Sequence, residues 1–375
     1  MHLFFTIIFK WHNNMSQVPE NTQINDMRLY GDFKGISLSG FKISEVKKHF
    51  LLNVYNGKIE QACYWCAEMI CAGHYMDIWE CLLLYLGKHI HLGNPKLPVY
   101  LFKRFEVFKN IMVQGLYYDE IQLRNHKTIR EMFVEIVVVF ATSPKKNSIE
   151  VVKINKEEEF DMTQIANKLK ATSDDFGKHL LRKEDPKELS LCVNEFAYHI
   201  HSSSTHVPNM LQACYWIEWI IEFDVICKKR KSPCKLDRRH HIPVEFKYQN
   251  DIIWVIWDAM FDCIESNNDS LQKEIIQAIL NLFCVKYTTA CVKKRKHLLY
   301  FAISMITEPY NKAVSIITDK TMIQTSLQNI DIVYKQIKKN EHSPKTDYLF
   351  SGLSDGSNYQ KSLQRMEMMN SMDII

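Results

Sequence analysis

An all-α fold is predicted from three features of the sequence. Glycine is scarce, at 11 of 375 residues, well under half the roughly 7% average. Proline numbers only 10, which leaves room for long uninterrupted helices. Apolar residues recur at intervals of three and four through most of the chain, the spacing that places them on one helix face.

The elements follow in order. Residues 1–40 read as largely irregular. Helical spacing predicts 43–56 and 58–72, where Ala62, Trp65, Met69 and Ala72 align. A further helix over 77–90 stops at Leu92-Gly93-Asn94-Pro95, a glycine-then-proline stop signal. The pattern continues over 96–115 and 118–142. A short strand is expected at Ile149–Ile154, and Glu157-Glu158-Glu159 reads as a solvated face. Helices are then expected over 187–200, 208–226, 245–266, 269–287, 288–307 and 310–338. The organisation expected is an N-terminal segment 1–40, a first helical unit 41–142, a charged linker 143–186, a second helical unit 187–338 and a flexible tail 339–375. The linker and tail carry Ser-Pro, Asp-Pro and Asp-Gly punctuation.

An internal repeat supports two related bundle units. Gln61-Ala62-Cys63-Tyr64-Trp65 reappears as Gln212-Ala213-Cys214-Tyr215-Trp216. Asp77-Ile78-Trp79 follows the first copy, and Asp251-Ile252-Ile253-Trp254 follows the second after a longer insert. Duplication, or one packing solution used twice, accounts for this. Two unrelated amphipathic helices sharing a pentapeptide are the alternative.

Composition narrows the function classes. Hydrophobic residues at 46% and charged residues at 24% are ordinary for a globular chain. Phosphate-cradling loops need clustered glycines, because a Cβ blocks the backbone's approach. No G-x-x-x-x-G-K-[S/T] run occurs: Gly57-Lys58, Gly87-Lys88 and Gly177-Lys178 lack both the earlier glycine and the following hydroxyl. Eleven cysteines, odd in number and scattered, suit free buried thiols in a reducing compartment better than a disulfide framework. No apolar run reaches the roughly 18 residues that span a bilayer, so no membrane partner is expected. The opening Met1–Phe9 run is short and lacks a basic flank, so residues 1–14 read as an upstream start or frayed tail, with Met15 a second start.

The net charge of +4 must be read locally. The second unit carries an insert, 227–241, in which seven basic side chains fall within 228–239: Lys228, Lys229, Arg230, Lys231, Lys235, Arg238 and Arg239. Clustered cations neutralise phosphates and release counterions, so a nucleic-acid contact is one reading and an ordinary solvated loop the other. Lys293, Lys294, Arg295 and Lys296 extend the candidate set. No aromatic is interleaved in the insert, so base stacking is not expected there.

Other constellations are weaker. Cys227, Cys234, His240 and His241 are the available zinc ligands, but the wide cysteine gap and adjacent histidines fit a tetrahedron poorly. No cofactor is therefore expected, zinc being the one possibility kept. Cys63-x-x-Cys66 lies inside a helical pattern, where buried packing competes with redox chemistry. Glu218, Glu222, Asp258 and Asp262 form two i,i+4 carboxylate pairs, read as a solvated face, a metal-holding face or partners for the basic insert. His74, His89 and His91 have no Ser or Asp at triad spacing. No catalytic set emerges, and an enzymatic role is not expected.

The stretch Ser44-Glu45-Val46-Lys47-Lys48 through Asn56-Gly57-Lys58 and Ala62-Cys63-Tyr64-Trp65 to Ala72-Gly73 resembles the C-terminal helical domain of clamp-loader-type AAA+ ATPases, nearest the MgsA/RarA branch. The likeness covers residues 44–98, with Leu92-Gly93-Asn94-Pro95-Lys96-Leu97 similar to that family's later turn. It omits the ATPase module, so it implies oligomerisation and not nucleotide turnover. The whole chain also resembles a conserved, uncharacterised protein family of large (giant) DNA viruses, through phrases such as His89-Ile90-His91-Leu92-Gly93-Asn94-Pro95 and Tyr215-Trp216-Ile217-Glu218-Trp219. Together these imply a non-ATPase accessory protein of viral DNA replication or repair, located inside the host cell in the cytoplasm or a viral factory. Its expected partners are proteins of the replication machinery, DNA and further copies of the chain. A virion or scaffold protein without a nucleic-acid role is the alternative.

Overall fold

A computed structural model describes residues 18–115, 119–150, 154–155, 160, 165–201, 207–267 and 269–342. Among these the fold is all-α, with no strand and one isolated bridge between Ile36 and Lys42. The start at Met1 or Met15, Glu157–Glu159, most of the tail and the centre of the expected 149–154 strand lie outside the described residues.

Five helices form the first half: α1 (Ile43–Tyr55), α2 (Ile59–Cys71), α3 (Tyr75–Tyr85), α4 (Leu97–Gln114) and α5 (Lys127–Thr142). Five more follow: α6 (Ser190–Ile200), α7 (Met210–Lys229), α8 (Trp254–Asn267), α9 (Ser270–Phe283) and α10 (Cys291–Thr307). The last, α11, spans Lys320–Lys338. Local chemistry sets several starts. Asn209, Asp269 and Asp319 accept from the first-turn N–H groups of α7, α9 and α11, at 3.1 Å to Gln212, 3.2 Å to Leu271 and 2.8 Å to Met322, each such cap contributing about 1 kcal/mol. The α1–α2 turn closes on Gly57 at φ +69°, left-handed backbone that glycine adopts without strain.

Three expected helices are shorter than their apolar pattern, for physical reasons. The 118–142 pattern splits into a 3-10 segment, Glu120–Asn125, and α5. Asn125 leaves the helix to pair both ways with the Ile24 backbone, at 2.9 and 3.0 Å. The 245–266 pattern turns helical only at Trp254, because the Gln249 and Asn250 carbonyls are spent on the Arg239 and Leu236 N–H groups. Of the 310–338 pattern only Lys320–Lys338 is helical, starting at the Asp319 cap, while Glu308 before Pro309 is held extended and ends α10.

The same helix pairs recur in the two halves. α1 lies on α2 and α6 on α7; α2 lies on α5 and α7 on α10; α1 touches α3 and α6 touches α8. Ala62 and Cys63 are buried, as are Ala213 and Cys214. Trp216 is fully buried. Trp65 is only half-buried, stacked on His49 at 5.2 Å with Phe41 edge-on. Each half has its aromatic centre: Trp79 with Phe105, Phe108 and Phe133, and Trp254 with Tyr287 and Phe283. Burial of each such ring contributes about 2–3 kcal/mol.

One contiguous core joins the halves. α4 packs on α9, and α10 packs on α3 and on the π-helical turn Leu86–Ile90 that continues it. Gly87 permits that approach: a Cβ there would sit 2.6 Å from the His297 carbonyl carbon. α11 follows the second half in sequence but packs on α2 and α5. There Tyr334 is fully buried beneath the Arg130 guanidinium, 3.6 Å from ring centre to carbon. The described end of the expected linker is pinned to α6, where Glu195 accepts from the Lys170 and Ala171 N–H groups and Gly177 donates to Asn194. No helix among the described residues is long and apolar enough to cross a membrane.

Candidate nucleic-acid interface

The eleven candidate cations separate into structural and exposed groups. Arg239 belongs to the first and is fully buried. Its guanidinium meets Asp258 at 2.6 Å and Asp185 at 2.6 Å, and also donates to the Asp237 carbonyl at 2.9 Å. Burial works against the charged form, but the two carboxylates outweigh it and hold the Arg239 pKa above its ordinary value. Arg239 cannot grip a phosphate, because its donors are already spent inside the protein. The expectation for this residue is corrected on that ground.

Arg295 is likewise removed from the candidate set. It is buried, donates to the Phe283 and Val285 carbonyls at 2.7 and 2.6 Å, and pairs with Glu80 across the junction of the halves. It thereby satisfies carbonyls left open at the end of α9. Three lysines are paired with acids that the sequence had singled out or that lie one turn away. Lys293 meets Glu222 at 2.7 Å, Lys296 meets Glu218 at 3.0 Å, and Lys228 meets Asp224. Glu218 also accepts from the buried Tyr300 hydroxyl.

Lys229, Arg230, Lys231, Lys235 and Lys294 form the second group. All five are exposed, and none has an ion pair among the described residues. The Glu218–Lys296 and Glu222–Lys293 pairs run α7 antiparallel to α10, so the end of α7 and the start of α10 face the same way. Lys229 lies two helical turns past Glu222, about 10 Å. The cations at the end of α7 and Lys294 near the start of α10 therefore lie towards the same end of this helix pair.

The insert is itself ordered by backbone bonds. The Leu236 N–H donates to the Asn250 carbonyl and the Arg239 N–H to the Gln249 carbonyl, both at 2.9 Å. This folds 246–250 back along 236–239. Arg238, which has no carboxylate partner among the described residues, lies over the Phe246 ring, 3.1 Å from guanidinium carbon to ring centre, and donates to the Phe246 carbonyl at 3.0 Å. Phe246 is 67% exposed. Sequence reading missed this aromatic because it lies beyond position 241, where the charge run ends; its position just past a turn was the one available signal.

The remaining candidates are dispersed. His241 pairs with Asp258 at 3.0 Å. Asp262 meets His179 at 3.1 Å and His201 at 3.7 Å. Cys227 and Cys234 are half-buried, and burial pushes the Cys234 thiol up to about 12. Among the described residues no group of three or more His, Cys, Asp or Glu side chains is placed to hold a metal ion, so Cys227, Cys234, His240 and His241 are not brought together as ligands. Cys63 and Cys66 are buried within α2, and burial raises the Cys63 thiol to about 12, the opposite of an activated thiolate. His74 bonds to the Ile36 carbonyl, His91 to the Asn147 carbonyl, and His89 lies against Tyr55 and Tyr85. Compared with family models, with curated proteins and with solved structures, the chain matches none of them.

Proposed function

We propose that this chain is a non-ATPase accessory protein of viral DNA replication or repair that touches nucleic acid through its basic insert and assembles with protein partners. The carrying observation is the split among its cations. Acids on α7, α8 and the 182–185 turn pair with Arg239, Lys228, Lys293 and Lys296. Lys229, Arg230, Lys231, Lys235 and Lys294 are exposed and have no ion pair among the described residues. Cations not engaged by acids are available to neutralise phosphates, which releases the counterions condensed on a nucleic acid.

Partner binding is supported elsewhere. Phe41, Leu52 and Tyr55 are 42%, 50% and 49% exposed on and beside α1, and the Phe41 ring meets the half-buried Trp65 edge-on at 5.4 Å. These residues lie in or next to the 44–98 stretch whose resemblance implies oligomerisation. Exposed apolar side chains grouped on one helix pair are what a protein partner covers.

Fluorescence anisotropy with a labelled oligonucleotide at low salt tests the reading. The wild-type chain is expected to bind, and a variant with Lys229, Arg230, Lys231, Lys235 and Lys294 changed to Glu is expected not to. Absence of binding by the wild-type chain would remove the nucleic-acid role and leave the virion or scaffold reading.

A further inference from the structure

We infer that the insert takes single-stranded rather than duplex nucleic acid, with one base stacked on the Phe246–Arg238 pair; this rests on the nucleic-acid reading above. Phe246 is a large ring with 67% of its surface in water, at the head of the 3-10 turn Phe246–Tyr248. Nothing in the fold requires an aromatic there, since the turn is closed by backbone bonds from Tyr248 to Glu245 and from Asp251 to Tyr248. One ring face carries the Arg238 guanidinium, 3.1 Å from its centre. The guanidinium is fixed by its bond to the Phe246 carbonyl and has no acid partner among the described residues, so the stack is positively charged and preformed.

Such a pair offers two flat surfaces, the open ring face and the outer face of the guanidinium. Both stack on the π-face of a base, and every base has one. A duplex buries those faces against its own neighbours, whereas a single strand presents them. The 236–239 and 249–250 segments are bonded side by side, so the platform belongs to the same ordered insert as Lys229, Arg230, Lys231 and Lys235. One strand therefore meets phosphate-binding cations and a stacking surface on one insert, which is the combination that single-strand grooves use.

The test compares a labelled single-stranded homopyrimidine oligonucleotide with a duplex of equal length, using the full chain. Wild type is expected to favour the single strand. Phe246→Leu should weaken single-strand binding about tenfold and leave duplex binding unchanged, and Phe246→Trp should retain it, with the new indole fluorescence quenched on binding. The ring is mostly solvent-exposed, so circular dichroism of both variants should match wild type. Equal affinity of wild type for both forms, or an unchanged single-strand affinity in Phe246→Leu, would overturn the stacking inference while binding itself persists. Loss of all oligonucleotide binding by wild type would instead overturn the reading on which it rests.

Discussion

Arg239 lies with no exposed side-chain surface between Asp185 and Asp258, 2.6 Å from a carboxylate oxygen of each. The ion triad ties three separate pieces together: the insert, the turn before α6, and α8. Asp185 reinforces the tie by accepting from the Asp237 N–H at 2.7 Å and the Arg182 N–H at 2.9 Å. Arg239→Ala would strand two carboxylates, one of them buried, and should cost about 3–5 kcal/mol in urea unfolding. Lys229→Ala, an exposed cation of the same run, should change stability by less than about 0.5 kcal/mol. Equal effects of the two would contradict the division of the cations.

Gly87 is where the two halves come closest. Gly87→Ala places a methyl 2.6 Å from the His297 carbonyl carbon and 2.7 Å from its oxygen, both backbone atoms that cannot swing away. The cost expected is on the order of 2 kcal/mol, read as a lower thermal midpoint. Gly31, which has open space around it, serves as the control, and Gly31→Ala should leave the midpoint nearly unchanged.

The same junction is sensitive to acid. Burial, then Lys296, Lys88, His89 and His91, lower the His297 pKa from 6.5 to about 4. The unfolded chain therefore takes up a proton that the folded chain refuses. Stability is fully present above the unfolded value of 6.5 and is lost as pH falls towards the folded value of about 4. The unfolding free energy of wild type minus that of His297→Gln should fall as pH drops through that window, a comparison in which the other titrating groups cancel.

Asp251 behaves in the opposite sense. Burial raises its pKa to about 6, against the hydrogen bond from Tyr287, which lowers it. The folded chain holds this proton more tightly, so the contribution weakens as pH rises from 3.8 to about 6. Asp251→Asn keeps an acceptor for the Tyr287 hydroxyl, now 2.9 Å away, and removes a charge close to Lys228 and Lys235. It should stabilise the fold near pH 7 by on the order of 1 kcal/mol, after allowance for partial exposure, and should not weaken oligonucleotide binding.

Much of the fold was legible in local chemistry. Asn209 and Asp269 stand at the expected starts of their helices and cap them, whereas Asp319 caps a helix expected to begin at 310, and Gly57 closes the turn between the first two expected helices. The site was harder to read, because cations of one run look alike until their partners are known. Arg239 and Lys229 differ only in that Asp185, 54 residues before Arg239, folds back onto it. Arg295 is withdrawn in the same way by Glu80, 215 residues away. The π-helical turn at Leu86–Ile90 packs on α10, a long-range contact that the local pattern does not announce. Phe246 becomes part of the site only through the backbone bonds that fold its segment against the insert.

Lys229, Arg230, Lys231, Lys235 and Lys294, exposed and without an ion pair among the described residues, are the surface we propose for a polyanion. The most direct measurement is the salt dependence of oligonucleotide affinity between about 50 and about 200 mM salt. Five neutralised phosphates would give a log–log slope of roughly −3.5 on a single strand, and each cation changed to Ala should make the slope shallower by about 0.7. A flat slope, or one that the five substitutions leave unaltered, would mean that these cations do not bind phosphates.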